Sequence, residues 1–141
     1  PILFYDPVCE IIGVAHSGWK GTVGNIAGIT IKKMKEIYNS RTKDIIACIG
    51  PSISHNHYEI KEDVAVIFRK KFSNNQIITK KSDKLFLNLK KTIHKQLLNL
   101  GVSNNNIEIS ELCTYKNSEY FFSYRRNDNY PGRFMAGIMM L

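Results

Sequence analysis

Val14-Ala15-His16-Ser17-Gly18-Trp19-Lys20-Gly21-Thr22 is the stretch on which the reading of the chain turns. An apolar run from Val8 ends at a histidine and gives way to a glycine-rich loop with one lysine and the single tryptophan. A helix-period pattern follows. The stretch therefore predicts a strand end, a backbone open to close approach and a helix N-terminus in direct succession. Free N–H groups and the positive end of a helix dipole suit an anion or a small polar substrate. The loop is not a P-loop, because Lys20 precedes its glycine and the four-residue gap is missing. Nucleoside-triphosphate chemistry is therefore not expected.

Upstream of the loop, Ile2–Tyr5 and Val8–Ala15 read as strands joined by a turn at Asp6-Pro7. Their apolar content exceeds what a half-exposed strand needs and predicts burial on both faces. Downstream, Val23, Ile26, Ile29, Met34 and Ile37 fall on one face at helical spacing. Gly24 and Gly28 each weaken that helix by about 1 kcal/mol relative to alanine, so close packing is the expected reason for them. Asp44–Ile49 reads as a strand closing at Gly50-Pro51, and 52–58 as a polar loop. Glu62 and Asp63 open a helix whose inner face is Val64, Ile67, Phe68 and Phe72. Gln76–Thr79 suggests a short strand. Leu89, Ile93, Leu97 and Leu100 define another helix, stopped by Gly101 with Val102 as its hydrophobic contact. Ile107–Ser110 reads as a strand, and Tyr120–Arg125 with Phe134–Leu141 as a hairpin across 127–132. Alternating strands and helices with a strand-rich end predict one layered α+β domain.

Composition narrows the function. With 141 residues, 43% of them apolar, the chain holds enough to bury one core. Twenty Lys and Arg against 12 Asp and Glu give a net charge of +8. The excess is mostly lysine, grouped at Lys32, Lys33 and Lys35, at Arg69, Lys70 and Lys71, and at Lys80, Lys81 and Lys84. Such groups read as solvated helix faces, and no nucleic-acid reading motif accompanies them, so nucleic acid is not an expected partner. Three cysteines, odd in number and without CxxC spacing, point to a reducing compartment and away from a disulfide framework or a self-contained zinc ribbon. Without an 18-residue apolar run or a signal-peptide pattern, the expectation is a cytoplasmic chain with no membrane partner. The chain opens at Pro1 directly into a strand pattern, which suggests a piece of something longer.

Several residues are candidates for chemistry. His16 ends a strand beside the glycine loop, and is either a satisfied structural group or a catalytic or metal-binding one. Zinc takes three or four ligands, and nothing at two or four residues from His16 supplies one, so partners would come from elsewhere. His55 and His57 are spaced to chelate from an extended segment, although polar loops carry such pairs by chance. His94 lies off its helix's apolar stripe and reads as a surface residue. Cys48 reads as a small core residue, while Cys113-Thr114 is either core or a thiol and hydroxyl at a pocket rim. Arg125, Arg126 and Arg133 offer forks for phosphate or carboxylate, or are simply solvated.

Three stretches together carry a family resemblance. His16-Ser17-Gly18-Trp19-Lys20-Gly21-Thr22 resembles an HAGWRGT signature. Ile49-Gly50-Pro51-Ser52-Ile53-Ser54 with Tyr58-Glu59 resembles GPxI…YEV. Cys113-Thr114, Phe122-Ser123-Tyr124-Arg125-Arg126 and Gly132-Arg133-Phe134-Met135-Ala136-Gly137 resemble CT…FSYRR…GRMAG. The chain is identified by these as a member of the YfiH/YlmD family, also called the multicopper polyphenol oxidase (laccase) family, with the match running from residue 1 to 141.

The resemblance implies an αββα-type layered sandwich with mixed sheets and a zinc held by two histidines and a cysteine. It also implies purine nucleoside phosphorylase activity on adenosine, inosine or methylthioadenosine, with adenosine deaminase activity; copper belongs to the alternative, a polyphenol oxidase. Of the ligands only His16 has a counterpart here, because the family cysteine belongs to an ADCxPIL-like segment and this chain starts at the Pro-Ile-Leu. The resemblance thus predicts a single domain over 1–141 lacking its N-terminal portion. His16 is the expected metal and catalytic residue. Ser17, Gly18, Lys20, Gly21 and Arg125 are expected to hold nucleoside and phosphate, with Ser17 and Lys20 standing where the family usually has Ala and Arg. The missing N-terminal half, or a second chain, would complete the site. A non-catalytic remnant or binding module is the reading from another class.

Overall fold

The computed structural model describes residues 1–72, 75–126 and 132–141. Strands β1 (Ile2–Asp6) and β2 (Ile11–Ala15) form an antiparallel hairpin, with Ile2 opposite Ala15 and Asp6 opposite Ile11. β3 (Ile46–Ile49) pairs antiparallel with the other edge of β1, and β7 (Ile107–Ile109) adds parallel to β3, giving the order β2-β1-β3-β7. A second, three-stranded sheet has the order β4-β6-β5, from β4 (Glu59–Ile60), β5 (Ile78–Lys81) and β6 (Lys84–Leu87). The helices are α1 (Trp19–Val23), α2 (Ile26–Tyr38), α3 (Glu62–Lys71) and α4 (Leu89–Asn99). The architecture is α+β, as the sequence pattern implies.

One face of the four-stranded sheet makes the core. Ile2, Phe4, Ala15, Ala47 and Ile49 point into it and are buried, and α2 and α4 pack over them. The opposite face is open: Leu3 pairs with Val14 and with Cys48, and Tyr5 with Ile12 and with Ile46, while Val14 is 55% and Ile46 41% exposed. The expected burial of both strands on both faces is thus not met within this chain; one face is packed. Among the described residues, no helix is long and apolar enough to cross a membrane.

Local chemistry explains where the elements depart from the hydrophobic pattern. The second strand starts at Ile11, not Val8, because the Asp6 carboxylate accepts the amides of Val8 (2.8 Å) and Cys9 (3.1 Å) and folds residues 7–10 into a turn. The helix after the loop is broken at Gly24-Asn25, where Asn25 adopts φ 55° and caps α2 by accepting the Gly28 amide. The break shifts the buried stripe to Ala27, Gly28, Ile31 and Met34, leaving Ile29 and Ile37 exposed. Gly28 is required there because a Cβ would strike the capping Asn25 side chain. On α3 the buried positions are Ala65 and Phe68, with Val64 and Phe72 packed at the margin and Ile67 exposed. Gly101 does stop α4 with φ 91°, and Val102 is buried beyond it.

The hairpin from Tyr120 to the C-terminus does not form in the described residues. Its backbone instead closes local turns, Asn117 N–H to Cys113 O, Phe121 N–H to Asn117 O and Arg126 N–H to Ser123 O. Residues 127–131 of that expected connection lie outside the described residues. Conversely, the β5–β6 hairpin was not legible, since its turn is Ser82-Asp83, with Ser82 at φ 52° in a position that usually advertises itself with glycine.

Burial pushes the Asp6 carboxyl up, but the Ser40 hydroxyl beside it and the amides of Cys9 and Val8 pull harder and leave it below its ordinary value. Because Asp6 Oδ2 and Ser40 Oγ complete no hydrogen bond, the two amides carry most of that pull. A carboxyl titrating below its unfolded value of about 3.9 stabilises the fold above about pH 4 and loses that contribution as pH falls through the folded value. Asp6→Asn should therefore cost about 1–2 kcal/mol at neutral pH. Urea melts of wild type and variant should converge as the pH falls through the folded carboxyl's titration, below its unfolded range; a gap that persists in acid would assign the loss to packing instead.

Candidate active site

Residues 16–22 form a knot at the end of β2. Gly18 precedes the five-residue helix α1, and a Cβ on Gly21 would lie 2.8 Å from the His16 carbonyl oxygen, so only glycine lets α1 press onto the strand end. Ser17 is buried, its hydroxyl 2.9 Å from that of Thr22. Gln96 on α4 donates to the Thr22 carbonyl at 2.8 Å and ties the knot to the core. His16 itself is exposed, makes no hydrogen bond among the described residues, and holds its imidazole where a Gly18 Cβ would sit 3.1 Å from Nε2.

His16, Ser17 and Gly18 line one wall of a cavity of about 610 Å³. Pro51, Ser52 and Tyr58 form the second wall, and Thr114, Ser123, Arg125 and Phe134 the third. Arg125 and Arg133 both border it, and none of the described lining residues carries a carboxylate. Arg125 lies 5.3 Å over the Tyr58 ring, a cation–π contact. Burial pushes the Tyr58 phenol above its ordinary value while the Arg125 charge opposes this, so Tyr58 keeps its proton. The structure therefore brings His16, Ser17, Gly18 and Arg125 together. Lys20 lies elsewhere, exposed with its ammonium 5.5 Å over the Trp19 ring, and Gly21 is spent on packing.

The third wall has no regular secondary structure, and specific bonds hold it. Cys113 and Ser52 form an isolated parallel bridge, with Thr114 N–H donating to Ser52 O at 3.2 Å. Arg126 donates to the carbonyls of Thr114 (2.8 Å), Tyr115 (2.7 Å) and Phe121 (2.6 Å). Of the paired arginines, Arg125 faces the cavity and Arg126 builds its wall. Gly132 lies flat against the Phe122 ring, where a Cβ would collide. Sequence reading left Cys113 between core and rim. It is buried, with the Ser54 amide donating to Sγ at 3.3 Å and His57 Nδ1 at 3.8 Å. Burial pushes its thiol up, but hydrogen bonding to Ser54 and to the amides of Lys116 and Tyr115 brings it below the ordinary value. His57 and Tyr115 stack at 4.9 Å and line a second cavity of about 460 Å³ that shares Tyr58 and Arg125 with the first. His94 is bound to Asn104 on α4's outer side.

Metal binding requires convergent donors, and these residues do not supply them. Among the described residues no three His, Cys, Asp or Glu side chains cluster. His16 offers one imidazole, fewer than zinc or a copper centre needs. The described residues do not, by themselves, fit the implied metal.

The whole chain, residues 1–141, matches the family described as multi-copper polyphenol oxidoreductase laccase, and it belongs to that family. Among curated relatives it is 36% identical over 143 residues to a purine nucleoside phosphorylase of Bacteroides thetaiotaomicron, covering 99% of this chain and 53% of the relative. It is 37% identical to purine nucleoside phosphorylase YlmD of Bacillus subtilis over 142 residues, again 99% of this chain and 51% of the relative. The crystal structure of YlmD from Geobacillus stearothermophilus superposes with a TM-score of 0.86 at 33% identity, over 94% of this chain and 50% of that one. The chain spans about half the length of the relatives it matches.

Three carbonyls left unsatisfied in a part-buried wall would be costly. Arg126→Ala should lower stability by about 2–4 kcal/mol, read as the midpoint of urea unfolding, and Arg126→Lys should recover only part, since an ammonium lacks the fork. An unchanged midpoint for Arg126→Ala would remove this account of the wall.

Proposed function

We propose that the protein carrying this chain is a purine nucleoside phosphorylase, acting in the cavity beside His16. The observation that carries the reading is the company His16 keeps: two guanidinium groups, and no carboxylate among the described lining residues, around a cavity of about 610 Å³, within the usual range for a small-molecule site. Phosphate is the nucleophile, neutralised by Arg125 through a charge-assisted fork. One phosphate oxygen bonds to C1′ of the ribose as the C1′–N9 bond breaks, and the departing purine takes a proton. His16 is the cavity's residue best suited to exchange that proton near neutrality. Ser17 and Gly18 border the substrate. The names of the relatives support the substrate class, as do the family signature residues. Zinc, and with it adenosine deamination, is assigned no step, because the donors present do not make its site. The site's remaining ligands, and the cover of the open sheet face, come from the half of the relatives' length that this chain does not span, or from a second chain.

A second reading rests on the family's description as a multi-copper polyphenol oxidoreductase. Oxygen uptake separates the two, since phosphorolysis consumes none. The direct test supplies inosine and phosphate to the intact polypeptide that carries these residues and follows ribose 1-phosphate. Product should form under anaerobic conditions, and Arg125→Ala should raise the KM for phosphate about tenfold or more. Absence of phosphate-dependent product, or an Arg125→Ala variant with wild-type phosphate dependence, would each count against the assignment.

A further inference from the structure

Three hydroxyls around the His16 cavity have no partner among the described residues. Ser123 is 6% and Thr114 7% exposed, and neither hydroxyl makes a hydrogen bond among the described residues. Ser52 Oγ is buried and equally unpartnered. All three residues line the cavity. Buried polar groups in native proteins normally find partners; one sealed hydroxyl, Ser52 Oγ, and two hydroxyls carried on nearly buried residues, Thr114 and Ser123, all without one on a single cavity, point to a ligand.

Their positions are fixed in advance. Ser52 is bridged to Cys113, the Thr114 amide donates to the Ser52 carbonyl, Arg126 donates to the Thr114 carbonyl, and the Arg126 amide donates to the Ser123 carbonyl. The contrast with Ser17 is informative, because that hydroxyl is already engaged by Thr22. Each free hydroxyl can donate once and accept twice, so together they match a ligand that itself carries several hydroxyls. An anion would be met by the guanidinium groups instead.

We infer that Ser52, Thr114 and Ser123 form a subsite for the vicinal hydroxyls of a ribose, so that the enzyme selects ribonucleosides over deoxyribonucleosides. The inference rests on the nucleoside reading above and adds to it the part of the substrate that is recognised. A site built to hydrogen-bond a substrate hydroxyl penalises the analogue that lacks it, because protein groups are then left unpaired.

The test measures kcat/KM of the intact polypeptide for inosine, 2′-deoxyinosine and 3′-deoxyinosine at saturating phosphate. Inosine should exceed at least one deoxy analogue by about tenfold or more. Ser123→Ala, Ser52→Ala and Thr114→Val should each lower kcat/KM for inosine, largely through KM, while leaving the weaker deoxy substrate within about twofold, so that the ratio collapses. Thermal melts identify any variant that fails to fold, and the wild-type ratio together with the remaining variants then decides. If inosine yields no ribose 1-phosphate, the nucleoside reading itself falls. If inosine and both deoxy analogues react equally well, the nucleoside reading stands and the subsite is wrong. Variants that slow ribo- and deoxyribonucleosides in equal proportion would also overturn it, by showing the hydroxyls to be structural.

Discussion

The site depends on Arg126. Beyond β7 the chain makes neither strand nor helix in its described residues, yet it must wall a cavity with backbone whose carbonyls would otherwise lack partners. One guanidinium resolves this by donating to three carbonyls from two separate turns. A planar fork with five N–H groups can do so where an ammonium cannot. The same residue's amide fixes Ser123. With Arg126 held inward, its neighbour Arg125 projects to the cavity over Tyr58. The division of labour between adjacent arginines is therefore a consequence of chain geometry: one satisfies the backbone, and the other is left facing the cavity.

The glycine loop works differently from what its composition suggests. Gly21 serves packing, since any side chain there would meet the His16 carbonyl. Gly18 gives the imidazole room. Helix α1 runs only five residues, so it contributes little dipole, and Lys20 turns toward Trp19. Positive charge in the cavity comes instead from the far end of the sequence, at Arg125 and Arg133. The loop's task is to hold His16 at the strand end, and the cationic wall is brought to it by the fold.

Much of this was legible from the residues, for identifiable reasons. Helix α4 was readable because Leu89, Ile93 and Leu97 repeat at helical spacing and Gly101 sits in the one conformation that favours it. The place of His16 just past a strand end was readable because the apolar run from Val8 stops there and a glycine loop follows. The phase of α2 was hidden by Asn25, whose left-handed cap splits one apolar pattern between two helices. The β5–β6 hairpin was hidden because Ser82 takes a positive φ that sequence usually signals with glycine. The C-terminal wall looked like a hairpin because aromatic and apolar runs resemble strands, yet most of these side chains are exposed and their backbone closes local turns. What fixes it, a guanidinium reaching three carbonyls, leaves no periodicity to read. The free hydroxyls of Ser52, Thr114 and Ser123 were invisible for the same reason, since a serine's availability depends on what surrounds it.

The open sheet face and the cavity meet at Val14. That residue, itself exposed, belongs to a row with the half-buried Leu3 and Cys48 on the open face, and it also borders the His16 cavity. A layer that buried the row would gain roughly 25 cal/mol for each Å² of apolar surface removed from water. It would close the cavity in the same step, excluding water from Arg125 and His16 and strengthening every electrostatic contact there. Packing and chemistry are thus coupled through a single residue.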